Sequence, residues 1–161
     1  MGHIWSLAVE EQFYLLWPLT LALLGRRRGL MVAGLVVALS PCIRGLQYQL
    51  LPDHRLGIGA EFHTVADALA CGCLLAGLRD RLWAMRGYRA FLASRWFLTV
   101  PLVLLAEIAV QPSRPIFYSV AGMTILNIGI TLCVDRAVRL SGTFSGRLLN
   151  SPVLALGGVL S

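Results

Sequence analysis

The 161-residue chain is 57% hydrophobic and only 14% charged, and its net charge of +6 comes from arginine, with no lysine in the sequence. Soluble domains carry about 25% charged residues, so this composition excludes an ordinary soluble protein and predicts an integral membrane protein. The arginines fall in short segments between apolar stretches rather than on one basic face, which disfavours nucleic-acid binding. We therefore expect membrane lipids, and no nucleic acid, as partners.

Five apolar segments approach the length of about 20 residues that a membrane-spanning helix needs. They cover residues 6–24, 30–51, 61–78, 96–111 and 116–134. Residues 152–161, PVLALGGVLS, have the composition of the start of a further helix. The predicted fold class is all-α, a polytopic transmembrane helix bundle with about five spanning helices plus the start of a sixth. We interpret residues 1–161 as a single partial transmembrane domain, a fragment of a longer protein.

Arginine-rich and arginine-poor connections alternate along the chain. The arginine-rich ones are 25–29 (GRRRG), 79–95 and 135–149, whereas 52–61 and 112–115 are poor in arginine. Cytoplasmic loops carry the excess of positive charge, so the arginine-rich connections are predicted to lie in the cytoplasm. Most acidic residues and all three histidines then fall towards the outer face. This predicts a multi-pass protein of the plasma membrane, the inner membrane of a bacterium.

The first predicted helix opens with a tryptophan, a serine and two adjacent carboxylates. Trp5 suits an interfacial anchor, and Ser6 can cap the helix. Glu10 and Glu11 lie near the first turn, where the helix dipole favours negative charge. Successive side chains point about 100° apart, so one of the two carboxylates can instead face an internal cavity. Glu10 and Tyr14 are four residues apart and would line such a cavity together.

The second and third predicted helices each carry charge inside an apolar run. Arg44 is expected to have an acidic partner, with Glu10, Glu11 and Asp67 as candidates, or else to extend to the outer interface. His63 and Asp67 are four residues apart and are expected to share a helix face. A carboxylate beside an imidazole favours its charged form and suits acid–base chemistry. A purely structural hydrogen-bonded pair between helices is the alternative.

Segment 79–95 interleaves five arginines with apolar and aromatic residues. This pattern predicts an amphipathic helix lying on anionic lipids at the cytoplasmic face. A surface that receives a phosphate-bearing donor, such as a coenzyme A thioester, is the sharper alternative. The four cysteines lie in apolar segments and lack metal-binding spacing, so we expect no disulfide framework and no metal site.

Two stretches closely resemble the acyltransferase-3 family. Residues 3–18, HIWSLAVEEQFYLLWP, are similar to the signature of that family. Residues 62–76, FHTVADALACGCLLA, look like its Thr-Arg-Ala-Asp-Ala-Leu-x-x-Gly-x-x-Leu-Ala segment. Residues 150–161 resemble the lead into a late helix of the family, so the likeness spans essentially the whole chain.

The resemblance implies a membrane-bound O-acyltransferase. Such an enzyme moves an acyl group, expected here to be acetyl and not amino-acyl, from an acyl-CoA donor, expected to be acetyl-CoA, to a hydroxyl of a surface carbohydrate such as a polysaccharide or lipopolysaccharide. The implied partner is thus a surface glycan acceptor. The implied catalytic residues are Glu10, Glu11 and Asp67. The implied substrate-binding residues are His3, Trp5, Ser6, Tyr14, Arg44 and His63.

Two departures from the family pattern bear on activity. Val65 stands where the second family segment has arginine. The first helix of the family, with its arginine and the histidine proposed as catalytic base, has no counterpart here. We therefore expect the missing N-terminal helices to be a required partner and the fragment alone to be inactive. The alternatives are a truncated membrane fragment with no activity and a transporter-like helix bundle that uses the outer polar residues as a proton or substrate path.

Overall fold

A computed structural model describes residues 3–51, 58, 61–110 and 115–140, with side chains described from residue 11 onwards, except those of residues 110 and 115. The helices are α1 (His3–Leu50), α2 (Phe62–Ala84), α3 (Arg86–Ala93), α4 (Thr99–Val110), α5 (Pro115–Phe117) and α6 (Met123–Arg139). A 3₁₀ turn, Arg95–Leu98, leads into α4, and a π-helical turn, Tyr118–Gly122, joins α5 to α6. The described residues include no strand, which confirms the all-α prediction. The predicted start of a sixth span, residues 152–161, lies outside them.

Three helical stretches in this part of the chain are long and apolar enough to cross a membrane. They are Glu11–Leu50, Phe62–Ala84 and Tyr118–Arg139. A fourth results if Arg86–Ala93 and Arg95–Ala109, which are bent by 66° relative to each other, form one broken span. The membrane class predicted from composition is thus supported, with fewer spans than the predicted five.

The largest difference from the prediction lies in α1. The predicted segments 6–24 and 30–51 both fall in this one 48-residue element, and the predicted loop 25–29 is helical apart from Gly25. Gly25 has φ 73° and ψ 167°, a backbone region that is essentially restricted to glycine. A straight helix of this length would extend about 72 Å, more than twice the hydrocarbon thickness of a bilayer.

The two parts of α1 approach each other beside Gly25. A Cβ atom added to Gly29 would lie 2.6 Å from Cδ2 of Leu21. In a straight helix, residues eight apart are separated by about 12 Å along the axis. The chain therefore turns back at Gly25, and we refer to residues 3–24 and 26–50 as the N-terminal and C-terminal segments of α1.

The predicted arginine-rich connection 79–95 is also mostly helical. α2 continues beyond the predicted segment 61–78 and ends at Ala84, and α3 follows after Met85, whose ψ of 116° interrupts the helix. Within α3, Leu92 is fully buried whereas Arg86 and Arg89 are exposed. This distribution confirms the amphipathic helix predicted for the segment.

Most buried side chains are small or polar, with Leu92 and Phe97 as large apolar exceptions, and most large apolar side chains point outwards. α1 and α2 share the most extensive interface. The buried polar residues are Ser40, Arg44, Gln47, Thr64, Asp67, Thr124 and Asp135. Leu15 and Leu23 are 73% and 74% exposed. Lipid solvates apolar side chains and disfavours polar ones, so this distribution suits a bundle embedded in a membrane.

Candidate functional site: a buried arginine–aspartate cluster

Arg44 lies where the C-terminal segment of α1, α2 and the π-helical turn meet. Its side chain is completely buried, which rules out the extension to the outer interface considered for it. Both Nη1 and Nη2 of Arg44 donate to Oδ2 of Asp67 at 3.1 Å. Of the three candidate acidic partners of Arg44, Asp67 is therefore the one that contacts it among the described residues.

Every N–H group of the Arg44 guanidinium is engaged within the protein. Nη1 donates to the backbone carbonyl of Thr64 at 2.6 Å. Nε and Nη2 donate to the carbonyl of Val120 at 3.4 and 3.3 Å, and Nη2 also donates to the hydroxyl of Thr124. With the two bonds to Asp67, these contacts occupy all five donors that arginine possesses. Arg44 thus holds Asp67 in place, and the substrate binding expected of Arg44 stays a prediction.

The Asp67 carboxylate has one bonded and one free oxygen. Oδ2 accepts from Arg44 and also from Oγ1 of Thr124 at 2.6 Å. Oδ1 is buried and has no hydrogen-bond partner among the described residues. Buried polar atoms are normally hydrogen-bonded, and a carboxylate oxygen left open is able to accept a bond from a hydroxyl or a water molecule. Oδ1 is therefore the acceptor of this cluster that forms no hydrogen bond within the described part of the chain.

A second polar group lies one turn of α2 before this pair. Nε2 of Gln47 donates to Oε2 of Glu61 at 2.9 Å. Nε2 of His63 lies 3.2 Å from Oε1 of Gln47 and 3.2 Å from Oε2 of Glu61. The expected His63–Asp67 pair is wrong: His63 is 53% exposed beside Glu61, while Asp67 turns into the bundle towards Arg44.

The other predicted site residues are on the first helix, and the two with described side chains make no contact with the cluster. Glu11 is exposed, and Tyr14 is 67% exposed with no hydrogen-bond partner in the described part of the chain. The cavity-facing position expected for Tyr14 stays a prediction. The remaining predicted residues are part of α1 by backbone, but their side chains lie outside the described residues: His3, Trp5, Ser6 and Glu10.

Three members of the cluster were not predicted from the sequence. Thr64 lies one helical turn before Asp67, so its position beside a charged residue was a usable signal. Thr124 is a hydroxyl residue in a long apolar run, which is a weaker one. The Val120 carbonyl belongs to the π-helical turn, where the regular helical hydrogen-bonding pattern is interrupted. No residue type in the sequence predicts such a turn.

A separate cluster joins α2, α3 and α6 at the arginine-rich end of the bundle. Oδ2 of Asp135 accepts from the Tyr88 hydroxyl at 2.8 Å, and Oδ1 accepts from Nε of Arg139 at 2.7 Å. The Arg139 guanidinium lies 4.5 Å over the Trp83 ring and donates to the carbonyl of Arg79 at 2.7 Å. These contacts attach α3 to the ends of α2 and α6.

Comparison with known proteins leaves the site to be interpreted from its own geometry. The chain matches no family model, no curated protein and no solved structure. Across the described residues, no group of three or more histidine, cysteine, aspartate or glutamate side chains is arranged to hold a metal ion. What the site offers chemically is a fixed carboxylate with one open oxygen, shielded from water by apolar helices.

Proposed function

We propose that this chain is part of a membrane-bound O-acyltransferase. It would move an acyl group, acetyl rather than amino-acyl, from acyl-CoA to a hydroxyl of a surface carbohydrate. The observation that supports this most is the state of Asp67, the acidic residue of the second family-like stretch. It is fixed by Arg44 and Thr124 and keeps one carboxylate oxygen open.

The proposal includes a membrane arrangement with α1 crossing twice. The N-terminal and C-terminal segments of α1 each exceed the roughly 20 residues that a crossing requires, and the chain turns between them at Gly25. With α2, the bent pair of helices and α6, this gives five crossings. In this proposal the bend at Gly25 and the cluster around Asp135 lie on one face, and the excess of arginine favours the cytoplasm of a bacterial cell for that face.

Contacts between helices support this arrangement. Nη2 of Arg26 donates to the carbonyl of Gly77 at 2.9 Å, and Nη2 of Arg139 donates to that of Arg79 at 2.7 Å. The arginine-rich start of the C-terminal segment of α1 and the arginine-rich ends of α2 and α6 therefore lie together. Asp67 is about 18 Å from Arg79 along α2, in the opposite half of the bundle. A donor arriving from the cytoplasm and a glycan outside would approach Asp67 from opposite faces.

In the proposed reaction, the glycan hydroxyl attacks the thioester carbonyl carbon. The hydroxyl proton passes to a general base, the new ester bond forms, and the coenzyme leaves as its thiolate. Oδ1 of Asp67 would accept a hydrogen bond from the hydroxyl or from the protonated base. Arg44 orients Asp67 through the two hydrogen bonds from its guanidinium to Oδ2. The resemblance assigns Glu10 and Glu11 to the same cavity.

The base itself is not assigned to this chain. The family histidine belongs to a helix that has no counterpart here, and none of His3, His54 and His63 occupies its place. The proposal therefore requires that helix to be supplied, and it predicts no acyl transfer by the 161 residues alone.

The test compares two membrane preparations from a host that lacks glycan acetylation. One contains this chain alone, and the other contains the chain fused behind the first helices of an acyltransferase-3 enzyme. Labelled acetyl-CoA is added, and label in the extracted glycan is counted. We expect label only with the fused chain. Transfer by the chain alone would contradict the missing base, and no transfer by either would contradict acyl transfer. Solute uptake by proteoliposomes containing the chain, lost in Glu10→Gln, would favour the transporter alternative.

A further inference from the structure

A cavity of about 660 Å³ opens between the C-terminal segment of α1 and α2, at the arginine-rich end. Its polar wall is formed by Arg26, Arg27, Asp80 and Arg81. Its apolar wall is formed by Leu30, Met31, Leu74 and Leu78, with Gly77 between them. The cavity therefore combines a cationic rim with an apolar interior.

Two of the three arginines on this rim are free to bind a ligand. Arg26 is fixed, because its Nη2 donates to the carbonyl of Gly77 at 2.9 Å. Arg27 and Arg81 are exposed and have no hydrogen-bond or ion-pair partner within the described part of the chain. Asp80 is the opposing charge on the rim, so the cavity keeps a net positive charge. Guanidinium groups in this position match the geometry of phosphate oxygens.

The backbone adds to the positive potential of the same wall. The non-helical conformation of Gly25 gives the C-terminal segment of α1 its own N-terminus, and Arg26 and Arg27 are its first two residues. The first N–H groups of a helix have no partner within it, and the helix dipole places positive charge there. Helix N-termini bind phosphate for these two reasons.

We propose that this cavity binds the phosphate group of a phosphate ester that also carries an apolar or extended chain. Arg27 and Arg81 bind the phosphate. Arg26 fixes the wall of the cavity to α2 through its hydrogen bond to the Gly77 carbonyl. The remainder of the ligand lies along Leu74 and Leu78, which also line a neighbouring apolar cavity of about 250 Å³. Two sources carry this chemistry, an anionic phospholipid of the inner leaflet and a soluble phosphate ester such as coenzyme A. This cavity can bind a phosphate ester whether or not the protein transfers acyl groups.

The experiment measures ligand binding by the purified full chain in neutral detergent. Coenzyme A is titrated by calorimetry, and retention of phosphatidylglycerol against phosphatidylcholine is measured by native mass spectrometry. The test variant is Arg27→Gln with Arg81→Gln. The matched control is Arg89→Gln with Arg95→Gln, which removes two exposed arginines outside the cavity. Thermal unfolding confirms that both variants are folded.

The test variant is expected to lose about tenfold or more in affinity for the ligand that binds, with the control unchanged. Binding of coenzyme A identifies a soluble ligand, and selective retention of phosphatidylglycerol identifies a lipid headgroup; each outcome supports the phosphate site. Equal binding by the test variant and the wild-type chain would overturn it. Failure of the wild-type chain to bind either probe would overturn it as well.

Discussion

Among the individual side chains, the main feature is a fully buried arginine whose charge and hydrogen bonds are all satisfied. Moving a guanidinium out of water is costly, and a single carboxylate does not recover that cost. Arg44 therefore draws on two backbone carbonyls and a hydroxyl in addition to Asp67. The carboxylate is less completely bonded than the guanidinium, since Oδ1 is open. That imbalance leaves one oxygen of the pair able to accept a further hydrogen bond.

The first prediction concerns the loss of this charge. Asp67→Asn leaves the Arg44 guanidinium buried without a counter-charge and should lower the free energy of unfolding by about 3–5 kcal/mol. Unfolding by denaturant in detergent micelles measures it. Asp80→Asn is the control, because Asp80 is exposed and has no partner among the described side chains; it should change stability by less than about 0.5 kcal/mol. Equal stability of Asp67→Asn and the wild-type chain would mean that Arg44 is not paired as described.

At the element scale, α3 is held by few contacts, and Tyr88 makes one of them. Tyr88→Phe removes the 2.8 Å hydrogen bond to Asp135 and should lower the free energy of unfolding by about 1 kcal/mol. It should also speed amide hydrogen exchange in α3, since the helix loses a tether to α6. Tyr14→Phe is the matched control, because the Tyr14 ring is 67% exposed. Equal effects of the two substitutions would contradict a role for Tyr88 in attaching α3.

The bend in α1 gives a second prediction at this scale. Gly25→Ala places a Cβ in a backbone region that only glycine occupies readily, at a cost of about 1–3 kcal/mol in the free energy of unfolding. Gly34→Ala is the control, because Gly34 is helical and no atom lies within 4 Å of the added Cβ. The control should be neutral or slightly stabilising, since alanine favours helix. A stabilising Gly25→Ala would show that α1 is continuous through this position.

The elements also show how far the sequence alone could predict the structure. Apolar runs of spanning length predicted the helices, and five arginines among apolar residues predicted the amphipathic α3. The prediction ended helices at arginines, whereas α2 continues through Arg79 and Arg81, because arginine is a good helix former and reaches water by its own length. The sequence limited the acidic partner of Arg44 to three candidates but could not identify which of them pairs with it. Asp67, Thr124 and Val120 contact Arg44 only because the helices pack together.

At the scale of the whole molecule, the polar groups separate into two ends. One end contains the arginines and the cluster around Asp135, and the other half contains Arg44 and Asp67 with Gln47, Glu61 and His63 beyond them. A bundle with two different ends has a defined orientation across the membrane. In the proposed enzyme, this orientation determines from which side each substrate reaches Asp67.

Single-cysteine labelling, in a background without the native cysteines, tests the orientation of the bundle across the membrane. Arg27→Cys and Arg86→Cys should react with a membrane-impermeant maleimide only after the cell is permeabilised, because arginine-rich segments stay in the cytoplasm. His63→Cys should react in intact cells, since His63 is exposed in the opposite half of the bundle. The reverse pattern would invert the membrane arrangement and place the open Asp67 oxygen towards the cytoplasmic half.

In the proposed enzyme, acyl transfer depends on Asp67. The decisive measurement is the rate of acetyl transfer from acetyl-CoA to glycan by the chain fused behind the first helices of an acyltransferase-3 enzyme. Folded protein is separated by size exclusion, and the rate is expressed per mole of it. Asp67→Asn should lower this rate about a hundredfold, as expected for loss of a group that assists proton transfer. Gly34→Ala, where no atom lies within 4 Å of the added Cβ, should leave the rate unchanged. A rate in Asp67→Asn close to that of the unsubstituted fusion would contradict the account.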